Sequence, residues 1–264
     1  MQNTDQIQSV DKQKKFGKIS KILVTQAKPT DENSPYHALA NKYNLTVDFK
    51  PFIEIESVPY KEFRKQKLEI SEFTAIIFTS RNAVDHFFKI CKEGKVELAP
   101  TTKYFCVSDQ TANYLQKYIV LRKRKIFVGQ KTAADLFEIM KKHKNEKFLY
   151  PCSDIRNDDI PDFLKKNEFD YKEAIIYNTV PSNLSDIKNI YQYDILVFFS
   201  PSGVNSLLHN FPDFEQKNIR IAAFGNTTGK AVKDMGLLVD IEAPMPNAPS
   251  MTGALELYIK ENNS

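Results

Sequence analysis

Phe78-Thr79-Ser80-Arg81-Asn82-Ala83-Val84 and Phe198-Phe199-Ser200-Pro201-Ser202-Gly203-Val204 share one form and lie 120 residues apart. In each, an apolar run stops at a hydroxyl-bearing residue, a short polar turn follows, and a helical pattern begins. Two further pairs keep the same order. Val107-Ser108-Asp109-Gln110-Thr111 matches Phe224-Gly225-Asn226-Thr227-Thr228 at an offset of 117, and Thr132-Ala133-Ala134 matches Thr252-Gly253-Ala254 at 120. Three ordered matches at nearly constant spacing indicate a duplicated unit.

Working outward, apolar β-branched and aromatic runs alternate with helical patterns along the chain. Strands are expected at 21–25, 46–55, 75–79, 103–107, 125–128, 147–151, 174–180, 194–199, 220–224 and 239–242. Helical periods fill 35–43, 82–92, 111–117, 133–143, 159–166, 202–208, 227–235 and 252–260. Alternation of this kind predicts an α/β protein with parallel sheets flanked by helices. The hydroxyl residues Ser80, Ser200, Thr111, Thr228, Thr132 and Thr252 fall where an N-cap or first-turn residue belongs. Capping alone accounts for any one of them. Two halves with the same set suggest more: helix N-termini at the carboxyl ends of parallel strands, receptive to anions, lining a cleft between two domains.

Composition sets the outer limits. The chain has 264 residues, a net charge of +4, 8 glycines, 3 cysteines and no tryptophan. So few glycines argue against the glycine-dense phosphate loops of nucleotide enzymes. Gly203, Gly225 and Gly253 nevertheless fall at turns of the second half, where the first half has Ala83, Ser108 and Ala133. Close backbone approach is therefore easier on one wall. The first 18 residues are polar and lack the apolar core of a secretory signal, so a disordered tail over 1–19 is expected. No apolar run approaches the ~20 residues of a membrane span. Cys91, Cys106 and Cys152 are odd in number and far apart, which fits a reduced, cytoplasmic protein without a disulfide framework. The basic run Lys117–Lys131 reads as a solvated face; its aromatics do not interleave as a nucleic-acid platform requires.

The motifs for demanding chemistry are missing. There is no G-x-G-x-x-G, P-loop, H-E-x-x-H or G-x-S-x-G, and His37, His86, His143 and His209 stand isolated. No metal set and no cofactor is expected. What remains is hydroxyl chemistry. Tyr177, in Ile175-Ile176-Tyr177-Asn178-Thr179-Val180-Pro181, ends an apolar strand just before a proline suited to a domain crossing. By strand pattern alone it is a half-buried strand tyrosine.

The motifs Phe78–Val84, Ile176–Pro181, Phe198–Val204 and Ile221–Thr228, with Ala248-Pro249-Ser250-Met251-Thr252 before a final helix, resemble the uroporphyrinogen-III synthase family. Order and spacing agree over about residues 20–260. The resemblance implies two α/β domains joined by two chain crossings, one of residues 20–52 with 182–264 and the other of 53–181. It implies cofactor-free conversion of the linear tetrapyrrole hydroxymethylbilane to uroporphyrinogen III, with loss of water and inversion of ring D. Tyr177 matches the family's key tyrosine. The substrate's carboxylates would meet Thr79, Ser80, Arg81, Asn82, Ser108 and Thr111 on one wall, and Ser200, Ser202, Gly203, Thr227 and Thr228 on the other. Ser153 and Arg156 are further candidates. Gln26 stands where many members carry a basic residue, and Ser108 where the family usually has glycine. A binding module that holds a tetrapyrrole without turning it over is therefore the second expectation. A monomer with no nucleic-acid or membrane partner completes the picture.

Overall fold

The computed structural model describes residues 17–120, 122–129, 133–156 and 158–263. The chain forms two compact units: one runs to Glu54 and resumes at Pro181, and the other is Ile55–Val180. Among the described residues no helix is long and apolar enough to cross a membrane.

The discontinuous unit contains a five-stranded sheet. Its strands are β1 (Lys21–Val24), β2 (Thr46–Phe49), β9 (Ile195–Phe198), β10 (Arg220–Phe224) and β11 (Ile241–Ala243), in the order β11-β10-β9-β1-β2. All four pairings are parallel. Numbered within the unit this is 2-1-3-4-5, a doubly wound order whose direction reverses between β1 and β9. Helices α1 (Pro35–Tyr43), α7 (Pro201–Asn210), α8 (Asn226–Asp234) and α9 (Met251–Asn262) complete it. Alternate strand residues feed two cores. Leu23, Leu196, Phe198 and Ile221 lie in one; Ile22, Val24, Ile195 and Val197 lie in the other. Burial of both faces explains why these strands are continuously apolar.

The second unit contains β3 (Ile53–Ser57), β4 (Ala75–Phe78), β5 (Lys103–Cys106), β6 (Ile126–Val128), β7 (Phe148–Ser153) and β8 (Tyr171–Pro181), ordered β3-β8-β7-β4-β5-β6. The run β8-β7-β4-β5-β6 repeats the first unit's β2-β1-β9-β10-β11, with its reversal between β4 and β7. Helices α2 (Tyr60–Phe63), α3 (Arg81–Gly94), α4 (Asp109–Tyr114), α5 (Ala133–Lys141) and α6 (Asp159–Lys166) accompany it. Here too two cores flank the sheet: Ile76, Phe78 and Cys106 in one, Ala75, Ile77 and Phe105 in the other.

The repeated turns share their capping chemistry. Ser80 accepts from the Ala83 N–H at 3.1 Å and Ser200 from the Gly203 N–H at 3.2 Å. Ser108 and Ser250 do the same for Thr111 and Gly253. Each such cap is worth about 1 kcal/mol. Thr111, Thr228 and Thr252 lie in first turns, while Thr132 lies outside the described residues. The exception is α8, which no side chain caps. Gly225 takes the cap position at φ 85°, a left-handed conformation that disfavours a side chain.

Two expectations are corrected. Residues 46–55 are not one strand: β2 and β3 belong to different sheets, and Pro51, with no N–H to offer a ladder, lies in the break. Residues 17–19 are not tail: Ile19 is fully buried, its N–H donates to Asn263 Oδ1, and the Gly17 carbonyl accepts from Arg220. The other tail residues, 1–16, lie outside the described residues.

Candidate active site

In open α/β sheets, ligands bind beyond the carboxyl ends of the strands where the order reverses. In the second unit that point lies between β4 and β7. Thr79 and Ser80 follow β4, Ser153 ends β7, and Tyr177 lies on the neighbouring β8. Four of the expected residues are thus brought together.

A β-bulge aims Tyr177. Cys152 pairs with Ile175, but the next residue, Ser153, pairs with Tyr177, so β8 carries one extra residue. Bulges re-aim side chains. Ile175 is 38% exposed, whereas Ile176 and Tyr177 are both buried and both join the core that contains Phe78 and Val84. Without the extra residue, strict alternation would send the phenol to the other face. The Ser80 hydroxyl lies near enough to influence it. Burial raises the phenol's pKa, and the nearby Ser80 only partly opposes that shift, so the proton is retained at neutral pH.

Two residues set aside in the sequence complete the surroundings. His86, on α3, places its ring 5.0 Å from that of Tyr177. Its Nδ1 lies 2.9 Å from Ser57 Oγ, to which Lys89 also donates at 3.0 Å. Burial, then the Lys89 charge, lower the His86 pKa and keep the ring neutral. Tyr150, on β7, is buried, and Thr79 lies near enough to influence its hydroxyl. The two hydroxyl residues that follow β4 therefore each lie near a buried phenol. No spacing in the sequence signals either contact, since both join residues about seventy to one hundred positions apart.

Ser153 is enclosed in a small network. It donates to Asp154 at 2.8 Å, lies 3.0 Å from Thr179 Oγ1, and accepts from the Ile155 N–H. The Arg156 guanidinium is already paired with Glu173 and with Asp158 at 3.1 Å. Arg81 and Asn82 are exposed at the start of α3, with Arg81 5.9 Å from the Tyr114 ring centre. Ser108 and Thr111 sit one strand further along, after β5, and Thr111 is only 4% exposed.

In the discontinuous unit the reversal lies between β1 and β9. Thr25, after β1, donates its hydroxyl to the Val197 carbonyl at 2.7 Å. Ser200 and Gly203 open α7 beside it: a Cβ at Gly203 would lie 3.8 Å from Thr25 Oγ1 and 3.6 Å from Ser200 Oγ. Ser202 is partly exposed in the same turn, and Gln26 is exposed after Thr25. Thr227 and Thr228 lie after β10, the former exposed and the latter 1% exposed. The uncapped start of α8 offers N–H groups there that no side chain satisfies.

The buried hydroxyls and thiols have a consequence for stability. Burial raises Cys91, Cys106 and Cys152 from about 9 to about 12, and Tyr104 and Tyr36 from about 10 to about 12. Above pH 9 the unfolded chain loses these protons before the folded one does. Stability is thus fully present below pH 9 and is lost as pH rises toward 12. Urea midpoints measured at pH 8, 9, 10 and 11 are expected to fall with a steepening slope; a constant midpoint would contradict this assignment.

Comparison with known proteins supplies what geometry alone does not. The family model for uroporphyrinogen-III synthase HemD matches residues 34–253. The chain is 27% identical over 253 residues to the uroporphyrinogen-III synthase of Chlorobaculum parvum, covering 90% of this chain and 99% of that one. It is 24% identical to the Schizosaccharomyces pombe uroporphyrinogen-III synthase, over 94% of this chain and all of the relative. The fold is similar to the crystal structure of uroporphyrinogen-III synthetase from Helicobacter pylori, with a TM-score of 0.59 at 19% identity, covering 92% of this chain and 100% of that chain. The matched span runs from the start of α1 into α9 and includes every strand end described above except that of β1. This chain belongs to the uroporphyrinogen-III synthase family.

Proposed function

We propose that the protein is a uroporphyrinogen-III synthase: a lyase that takes linear hydroxymethylbilane, removes water, and closes the macrocycle with ring D inverted. It needs no cofactor for this and works as a cytoplasmic monomer. The observation that carries the reading is the Tyr177 phenol, turned by the β8 bulge toward α3, near Ser80 and kept protonated by burial.

The chemistry follows from that phenol. Loss of the substrate's hydroxyl requires a proton for the departing oxygen. Water, with a pKa of about 15.7, is a far weaker acid than a phenol even when burial raises the latter. Transfer from Tyr177 therefore becomes downhill as the C–O bond breaks, while the proton stays in place until then. The rest is positioning. The acetate and propionate groups need donors rather than a matching number of charges, and capped helix starts supply them. Thr79, Ser80, Arg81 and Asn82 would serve at α3, Ser108 and Thr111 at α4, Ser200, Ser202 and Gly203 at α7, and Thr227 and Thr228 at α8. Ser153 would hold the β7 end rigid through Asp154 and Thr179. Arg156 would act as an ion-paired support for the same edge. Fixing the substrate geometry can contribute several kcal/mol without a dedicated nucleophile.

The test is isomer identity. Purified protein given freshly generated hydroxymethylbilane should yield uroporphyrinogen III. Exclusive formation of the type I isomer would overturn the reading and leave a tetrapyrrole-binding module.

A further inference from the structure

A cavity of about 370 Å³ lies at the other end of the second unit's strands. Thr102, which lines it, precedes Lys103, the first residue of β5, whereas the turns of the candidate site follow strand ends. Its walls come from the last turns of α3, the approach to β5, and the segment between α4 and β6. The floor is apolar and aromatic: Phe88, Cys91, Val96, Leu98, Tyr104 and Tyr118. Phe88 and Tyr118 stack at 4.6 Å with their planes within 5°, which gives that wall a fixed shape.

Two features break the apolar character. Thr102 is only 2% exposed, and its hydroxyl has no hydrogen-bond partner. A buried, unsatisfied hydroxyl costs about 1–3 kcal/mol, so a native structure that retains one calls for a reason. The second feature is charge. Arg122 and Lys125 line the same cavity, and neither forms an ion pair with an acid among the described residues. Partial desolvation, with Arg122 and Arg124 nearby, lowers the Lys125 pKa, the mark of a cation short of counter-charge. An anion would relieve this, and rotation of the enclosed Thr102 hydroxyl toward the cavity would let it donate to the anion's oxygen.

Size limits the occupant. At about 370 Å³ the cavity is at the small end of ligand pockets, which suits a compact ligand of about ten non-hydrogen atoms better than a tetrapyrrole. We propose that this cavity is a second ligand site, independent of the reaction, that binds a compact amphipathic monocarboxylate. The alkyl chain lies on the Phe88–Tyr118 wall, and the carboxylate accepts from Thr102 opposite Arg122 and Lys125. A polyanion would waste the apolar floor, and a neutral alkane would leave both cations and the hydroxyl unanswered.

Calorimetric titration of the full chain with octanoate tests this, with octanol and octylamine as matched controls. Octanoate should bind saturably at one site, and each control at least about tenfold more weakly, the loss of a charge-assisted hydrogen bond. Arg122→Gln with Lys125→Gln should weaken octanoate by about tenfold or more. Ala99→Trp, at an exposed position on the rim, should abolish binding while the melting temperature stays at the wild-type value. Thr102→Val is a second variant that keeps the side-chain shape and removes only the hydroxyl. The proposal is overturned by no saturation up to about 1 mM, by octanol binding as well as octanoate, or by full binding in a folded Ala99→Trp or in the double glutamine variant. None of these outcomes depends on the isomer assay.

Discussion

Tyr177→Phe is expected to lower kcat at least about a hundredfold, the usual contribution of a positioned proton donor, while leaving the fold intact. The substitution removes one oxygen and keeps the ring. The ring is what packs beside His86 and joins the core with Phe78, so this packing survives. What is lost is the hydroxyl beside Ser80, a stability change of at most about 1 kcal/mol. Ser80 still caps α3 through the Ala83 N–H, so the turn itself should stay in place. The measurement is isomer-resolved product formation under saturating substrate, beside a melting curve. Because hydroxymethylbilane closes unaided to the wrong isomer, the variant's product should shift toward type I. A variant with wild-type rate and isomer purity would remove Tyr177 from the reaction.

The β8 bulge shows where the sequence stops being informative. Ile175-Ile176-Tyr177 reads as an alternating strand, and alternation would assign Ile176 and Tyr177 to opposite faces. The extra residue that places them together is visible only in the pairing with β7, about two dozen positions away. Longer separations, about seventy to ninety positions, conceal the Tyr150–Thr79 and His86–Tyr177 contacts. By contrast, the capping serines of α3 and α7 were legible, because an N-cap bond spans only three residues. At α4 and α9 the threonines Thr111 and Thr252 were read as the opening residues, whereas Ser108 and Ser250 hold the caps. The duplication was legible for a related reason. β4 and β5 keep their internal spacing in β9 and β10. The matches fail elsewhere because β1 and β2 occupy the positions of β7 and β8 but come at the start of their unit rather than at its end. A repeat permuted in this way reads as a tandem duplication in the sequence, although the chain passes between units at 54/55 and 180/181. The family resemblance implies crossings at 52/53 and 181/182, which the repeat does not. Proline has similar limits: Pro51 separates β2 from β3, a break that the apolar and β-branched residues around it hide.

Phe78→Ala should cost about 3–5 kcal/mol, and Phe198→Ala a similar amount, because the duplication places both rings at one structural position. Each is the last residue of its strand, fully buried, two positions before a capping serine. Phe78 packs among Phe87 at 5.4 Å, Phe88 at 6.3 Å and Tyr104 at 6.4 Å. Phe198 has fewer aromatic neighbours, with Phe52 at 5.9 Å edge-on. Aromatic pairs add about 0.5–1.5 kcal/mol each beyond area burial, so Phe78 should be the costlier of the two. Its cluster draws every member from Ile55–Val180, and that of Phe198 draws every member from the other unit. Hydrogen exchange should therefore rise first through β4, β5 and β7 in Phe78→Ala, and through β9, β10 and β1 in Phe198→Ala. Loss of either ring also loosens the turn that follows. In the second unit that turn carries the serine beside Tyr177, so Phe78→Ala should lose activity below its melting point in proportion to the exchange of β4. Equal stability losses with uniform exchange across both sheets would show that the two rings do not serve separate cores.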